Sequence, residues 1–161
     1  MKSFTLIEVI FAIFIITIGS IGAFYTIQKA IDFNSLILSR FTAAYLAQEG
    51  AEIVRNIKDS NWLKIHHGVE GQDFWDNGLT SCENGCEADY NDTELTTYQD
   101  KYLKFENSTG FYGYATGTDT KFKRKISITK NGDILKVSVD VFWEQRGKLY
   151  CFTVKENLYK R

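Results

Sequence analysis

Nineteen consecutive residues from Val9 to Ile27, VIFAIFIITIGSIGAFYTI, carry no charge. A helix of that length spans roughly 29 Å, the thickness of a bilayer's hydrocarbon core. A backbone in lipid must satisfy its own hydrogen bonds, so the run is expected to be helical. Its many β-branched residues would favour strand only in water. A secretory signal peptide would need a small-residue cleavage site after the apolar run. None stands out, because the sequence continues straight into QKAIDFNSLILSRF. The expectation is a membrane anchor that continues as a helix. Lys2 and Glu8 are the only charges before Gln28, although the 161-residue chain holds 19 Lys+Arg and 20 Asp+Glu. With 44% apolar residues, the chain is not of the disordered class. The formal net charge of −1 leaves no global basic field, so DNA binding is not indicated.

Glu8 is the anomaly at the edge of this span. A carboxylate there costs a few kcal/mol unless it is paired or neutralised, which makes it a functional candidate. The stretch Lys2-Ser3-Phe4-Thr5-Leu6-Ile7-Glu8-Val9 resembles the cleavage and methylation motif of type IV prepilins and of the pseudopilins of type II secretion. The resemblance implies a leader of residues 1–3, cut at the Ser3–Phe4 bond, with Ser3 standing where that family nearly always has Gly. It implies that Phe4 becomes the mature, N-methylated terminus and that Glu8 is the motif glutamate. Residues four apart share a helix face, so the Phe4 amine and Glu8 can neutralise each other within lipid. The family assigns this pair to subunit registration during assembly, and a low dielectric would strengthen its directional preference. The implied partners are other pilin subunits, the prepilin peptidase, an inner-membrane assembly platform and the lipid bilayer. The implied location is the inner membrane, single-pass with the C-terminus extracytoplasmic, followed by a cell-surface or periplasmic filament.

Helical spacing continues beyond the anchor. Leu46, Gly50, Ile53 and Ile57 form one apolar stripe, with Glu49, Glu52, Arg55 and Lys58 on other faces. Asp59-Ser60-Asn61 is a plausible stop. These features divide the helix into a membrane half, 4–27, and an amphipathic half, 28–60. Residues 61–120 read as a variable loop region rich in Gly, Asn and Asp. Residues 121–161 read as an antiparallel meander. An Asn131-Gly132 turn would pair Ile128 with Leu135 and Ile126 with Val137. An Arg146-Gly147 turn would pair Trp143 with Tyr150, Val141 with Phe152 and Val139 with Val154. Both registers put Leu135, Val137, Val139, Val141 and Trp143 on one buried face, which the helix stripe can cover. The expected fold class is α+β, a long N-terminal helix packed on a C-terminal β-meander, as in pilins. Acidic residues dominate from Glu70 to Glu106 and basic residues from Lys121 onward, an opposition that suits head-to-tail packing but also fits ordinary solvated faces.

Four further groups are candidates. Cys82 and Cys86 bracket a tight turn and could close a short disulfide loop. Cys151 is then a free or buried thiol, and a bridge from it to either loop cysteine is the alternative. His66-His67 with the two loop cysteines match no standard zinc spacing. Asp89, Asn91, Asp92 and Glu94 offer oxygen ligands of the type calcium takes, without helix-loop-helix spacing. Asn107-Ser108-Thr109 matches a glycosylation sequon. No nucleophile elbow, phosphate loop or HExxH motif occurs, so catalysis and a resident cofactor are not expected. The two functions that remain are a filament subunit and a static membrane-anchored binding module that displays its β-domain.

Overall fold

The structure, a computed structural model, describes residues 5–69 and 74–160. Among the described residues, one α-helix, α1 (Leu6–His66), and a single 3-10 turn (Thr80–Cys82) precede eight strands. Five are two residues long: β1 (Cys86–Glu87), β2 (Thr96–Thr97), β3 (Lys104–Phe105), β4 (Tyr112–Gly113) and β5 (Thr118–Asp119). Three are long: β6 (Phe122–Asn131), β7 (Ile134–Gln145) and β8 (Lys148–Tyr159). A five-stranded antiparallel sheet has the order β2-β1-β6-β7-β8, and a small sheet has the order β4-β3-β5. The chain divides into two compact units, Met1–Ser39 and Arg40–Arg161.

In the first unit every residue from Thr5 to Ile31 is exposed. Thr17, Ser20 and Thr26 donate their hydroxyls to the carbonyls four residues back, at 2.7, 2.8 and 3.0 Å. Those bonds leave few polar groups needing water along an apolar helix. The helix passes through Gly19 and Gly22 without interruption.

The second unit is a helix laid on a sheet, the expected α+β class. Leu46, Gly50, Ile53 and Ile57 are buried, as are Leu135, Val137, Val139, Val141 and Trp143 of β7. Fully burying one such aliphatic side chain contributes about 2 kcal/mol. Gly50 sets the closeness of the layers: a Cβ there would lie 2.8 Å from Val139 Cγ1 and 3.1 Å from Arg124 Cδ.

Two expectations need correction. The helix does not stop at Asp59-Ser60-Asn61. It runs to His66 and closes around Gly68 (φ +67°), with Gly68 N–H donating to Ile65 O and Val69 N–H to Lys64 O, both at 3.0 Å. Asn61 is buried and donates instead to the carbonyls of Trp75 (3.3 Å) and Asn77 (2.8 Å), tying the next turn to the helix. Lys58, off the apolar stripe, is also buried, with its ammonium 3.0 Å from Asp59. The first hairpin is displaced by two residues. Gly132-Asp133 forms its tip, so Ile128 pairs with Val137 and Ile126 with Val139. A slip of two keeps every side chain on its face, so apolar patterning does not distinguish the two registers. The Arg146-Gly147 hairpin has the expected pairs Trp143–Tyr150, Val141–Phe152 and Val139–Val154. Both its central residues have positive φ, 56° and 71°, as a type I′ turn requires.

Candidate functional site

Glu8 lies in the first turn of α1, where its N–H donates to Thr5 O at 3.1 Å. A carboxylate there meets the positive end of the helix dipole. Its side chain is exposed, beside exposed Leu6, Ile7 and Val9. The other residues of the motif, Ser3 and Phe4, lie outside the described residues. Among the described residues, one helix is long and apolar enough to cross a membrane, with a mean hydropathy of 2.4 over its best window. None of that window is buried within the protein.

In the loop region, a disulfide joins Cys82 and Cys86, whose Cα atoms are 5.3 Å apart. These sulfurs are therefore not available to zinc beside His66 and His67, and the His66 ring stacks on Trp62 at 5.3 Å. Cys151 is free and exposed, paired with Phe142 on the sheet face away from Trp143. In the acidic loop, two of the candidate oxygen ligands are engaged by backbone N–H groups. Asp89 Oδ1 accepts the Tyr114 N–H at 2.7 Å, and Asp92 Oδ2 accepts the Asp89 N–H at 2.7 Å. Asn91 and Glu94 are exposed. Among the described residues, no group of three or more His, Cys, Asp or Glu is placed to hold a metal ion. The loop's carboxylates order its own backbone instead.

Arg124 is the residue that organises this unit. Its side chain is fully buried on β6 between Phe122 and Ile126. One guanidinium nitrogen donates to Leu46 O (3.2 Å) and to Glu49 (3.0 Å), and the other to Ala88 O (2.6 Å). A single planar fork thus joins helix, sheet and loop, which a lysine's point charge would not reproduce. The Tyr114 hydroxyl donates to Arg124 O at 3.2 Å, and burial pushes that phenol up to about 12.

An open groove of about 460 Å³ lies on the sheet face away from the helix, lined in part by Tyr98, Tyr102, Lys121, Lys123, Lys125 and Phe142. Its charges are engaged locally. Asp100 accepts from Lys123 Nζ at 2.6 Å and from the Tyr98 hydroxyl at 2.7 Å, and those two bonds hold its carboxyl below the usual range. Burial, then the Asp100 bond, raises the Tyr98 phenol, while Asp100 raises the Lys123 ammonium in return. Lys123 lies 4.6 Å over the Tyr102 ring and Lys125 5.7 Å over Tyr98. Burial lowers the Lys121 ammonium.

No family model, curated protein or solved structure matches this chain. The functional argument therefore rests on its own residues. Sequence reasoning passed over Arg124, the buried tie that Asn61 makes to the next turn, and the ion pairs of buried Asp76 with Lys130 and buried Glu87 with Lys101. Arg124 did carry a signal: it shares the parity of Phe122, Ile126 and Ile128, so strand alternation turns it inward.

Proposed function

We propose that this chain is a structural, non-catalytic subunit of a type IV pilus or of a pilus-like secretion filament. It is held in the inner membrane by the first half of α1, with the sheet unit extracytoplasmic. Prepilin peptidase cuts it between Ser3 and Phe4, and Phe4 is N-methylated. It then enters the filament from an assembly platform, with the Phe4 amine and Glu8 registering adjacent subunits. The observation that carries this reading is the place of Glu8: one carboxylate in the first turn of an otherwise uncharged span, four residues after Phe4. A simple anchor has no need of a carboxylate there, because charge in lipid is costly unless it serves a pairing. The continuation of the same helix into the core of the sheet unit supports the reading, since it would bind filament core and surface domain into one subunit. The test is the mass of the protein recovered from its native membrane. Loss of residues 1–3 with one added methyl on Phe4 is expected, and an intact N-terminus overturns the reading.

The groove beside Tyr98 and Tyr102 favours a second reading, a static membrane-anchored binding module. That reading requires the intact N-terminus, so the same mass measurement separates the two.

A further inference from the structure

The sequence holds two Asn-X-Ser/Thr triplets, Asn91-Asp92-Thr93 and Asn107-Ser108-Thr109. Such a triplet accepts N-linked sugar where its amide and its hydroxyl are both open to a transferase. The structure separates the two. In the second, the Thr109 hydroxyl donates to Glu106 Oε2 at 3.2 Å and accepts the Phe111 N–H at 3.4 Å. In the first, Asn91 and Thr93 are exposed, and Thr93 takes part in no such bond among the described residues. Asn91 stands with Tyr90 at the tip of a turn: Asp92 N–H donates to Asp89 O at 3.1 Å, and Asp89 N–H to Asp92 Oδ2 at 2.7 Å. The Asp89 carboxylate fastens this turn to the N–H of Tyr114, 25 residues ahead. The triplet therefore lies open on the chain before the unit closes, and Asn91 is still exposed afterwards. A second feature meets it there. Tyr90 and Phe111 stack with ring centroids 4.4 Å apart and planes 16° apart, yet they are 41% and 50% exposed. Beside the stack lies a cleft of about 120 Å³ lined by Asn91, Tyr90, Phe111, Glu106, Ala115 and Thr116. An exposed aromatic stack beside a polar cleft suits a sugar ring. The ring's C–H face is apolar, and its hydroxyls can bond to the Glu106 carboxylate and the Thr116 hydroxyl.

We propose that Asn91 is an N-glycosylation site whose first sugar lies over the Tyr90–Phe111 stack. The donor is a lipid-linked oligosaccharide pyrophosphate. Asn91 Nδ2 bonds to C1 of the first sugar, and the bond from C1 to the pyrophosphate oxygen breaks. The lipid pyrophosphate leaves, and one Nδ2 proton passes to a base of the transferase. Nothing is oxidised or reduced. The transfer rests on the extracytoplasmic placement of the sheet unit proposed above, which the Cys82–Cys86 disulfide supports. It is independent of leader cleavage and of assembly.

Trypsin cuts after Lys64, Lys101, Lys104 and Lys121, so Asn91 and Asn107 fall on separate peptides, 65–101 and 105–121. Full-length protein from its native membrane is digested and read by mass spectrometry. Peptide 65–101 is expected to carry a series of hexose or N-acetylhexosamine masses, and peptide 105–121 none. Asn91→Gln and Thr93→Ala should abolish the addition, while Thr93→Ser, which keeps a hydroxyl, should retain it. An unmodified 65–101 peptide overturns the proposal, as does sugar that persists in Asn91→Gln and so sits on a hydroxyl. The N-terminal peptide of the same digest reads leader removal separately, so the two readings fail independently. For the resting place of the sugar, Asn91→Gln should lower the melting midpoint of the glycoprotein, and the shift should largely vanish in a Phe111→Ala background. An equal shift in both backgrounds overturns that placement.

Discussion

Single side chains decide three matters here. Glu8 is the first. On the proposed filament reading, replacing it by Gln removes the charge and keeps the size, so insertion becomes easier while the proposed pairing with the Phe4 amine is lost. Glu8→Gln is therefore expected to stay in the membrane fraction but to enter filaments poorly. Normal incorporation, measured as the share of the variant in sheared filaments, would sink the registration role. Arg124 is the second, a buried cation whose donors go to a carboxylate and to two carbonyls from different elements. Tyr114, hydrogen-bonded to the Arg124 carbonyl, is the third. An ordinary phenol titrates near 10, and here burial raises it to about 12. In an unfolded chain it would ionise first, so its contribution is full below pH 10 and is lost as pH rises toward 12. The amount is of the order of 2 kcal/mol. Melting followed across that window should show a steep loss of stability. Tyr114→Phe should flatten part of the loss, with Tyr98, also raised, supplying some of the rest. An identical alkaline profile in Tyr114→Phe would refute the assignment.

The elements test the register. Val139 is fully buried and pairs with Ile126 and Val154, while neighbouring Asp140 lies on the opposite face and accepts the Thr153 hydroxyl at 2.6 Å. Val139→Asp would place a carboxylate against Gly50 and Arg124, which already pairs with Glu49. It should cost several kcal/mol, comparable to the stability of a domain this size. Asp140→Asn should cost well under 1 kcal/mol. Thermal melting reads both, and the reverse order would mean the sheet faces are inverted. Strand parity was legible in the sequence because alternation of Leu135, Val137, Val139, Val141 and Trp143 admits one buried face. The tip of the first hairpin was not legible, since a slip of two preserves that parity and Asn-Gly favours a turn centred one residue earlier. The end of the helix was hidden for a different reason. Asp59-Ser60-Asn61 has stop-like chemistry, but Asn61 finds its partners in residues 14 and 16 positions ahead, which local patterning does not show. The part the acidic loop plays in ordering its own backbone was not legible either, since composition does not show that Asp89 and Asp92 accept backbone N–H groups.

At the scale of the whole molecule, the division at Ser39 separates two ways of satisfying the same physics. Before it lies an apolar helix with no covering side chains of its own, and its stability as a monomer in water is poor because exposed apolar area gains nothing from folding. After it lies a unit whose core is complete: the helix stripe Leu46–Ile57 faces the β6 and β7 inner faces, and Arg124 closes the loop side. Nothing in that core requires lipid. Residues 40–161, produced without the apolar segment, should therefore fold in aqueous buffer. They should melt in one cooperative transition and keep the Cys82–Cys86 disulfide. Ile53→Ala should lower the midpoint, since a buried Ile→Ala change costs about 2–5 kcal/mol, whereas the same change at exposed Leu63 should move it little. Circular dichroism on heating reads both. A fragment that shows no transition unless detergent is added would mean the sheet unit depends on the anchor, and the helix-on-sheet core would not be the source of its stability.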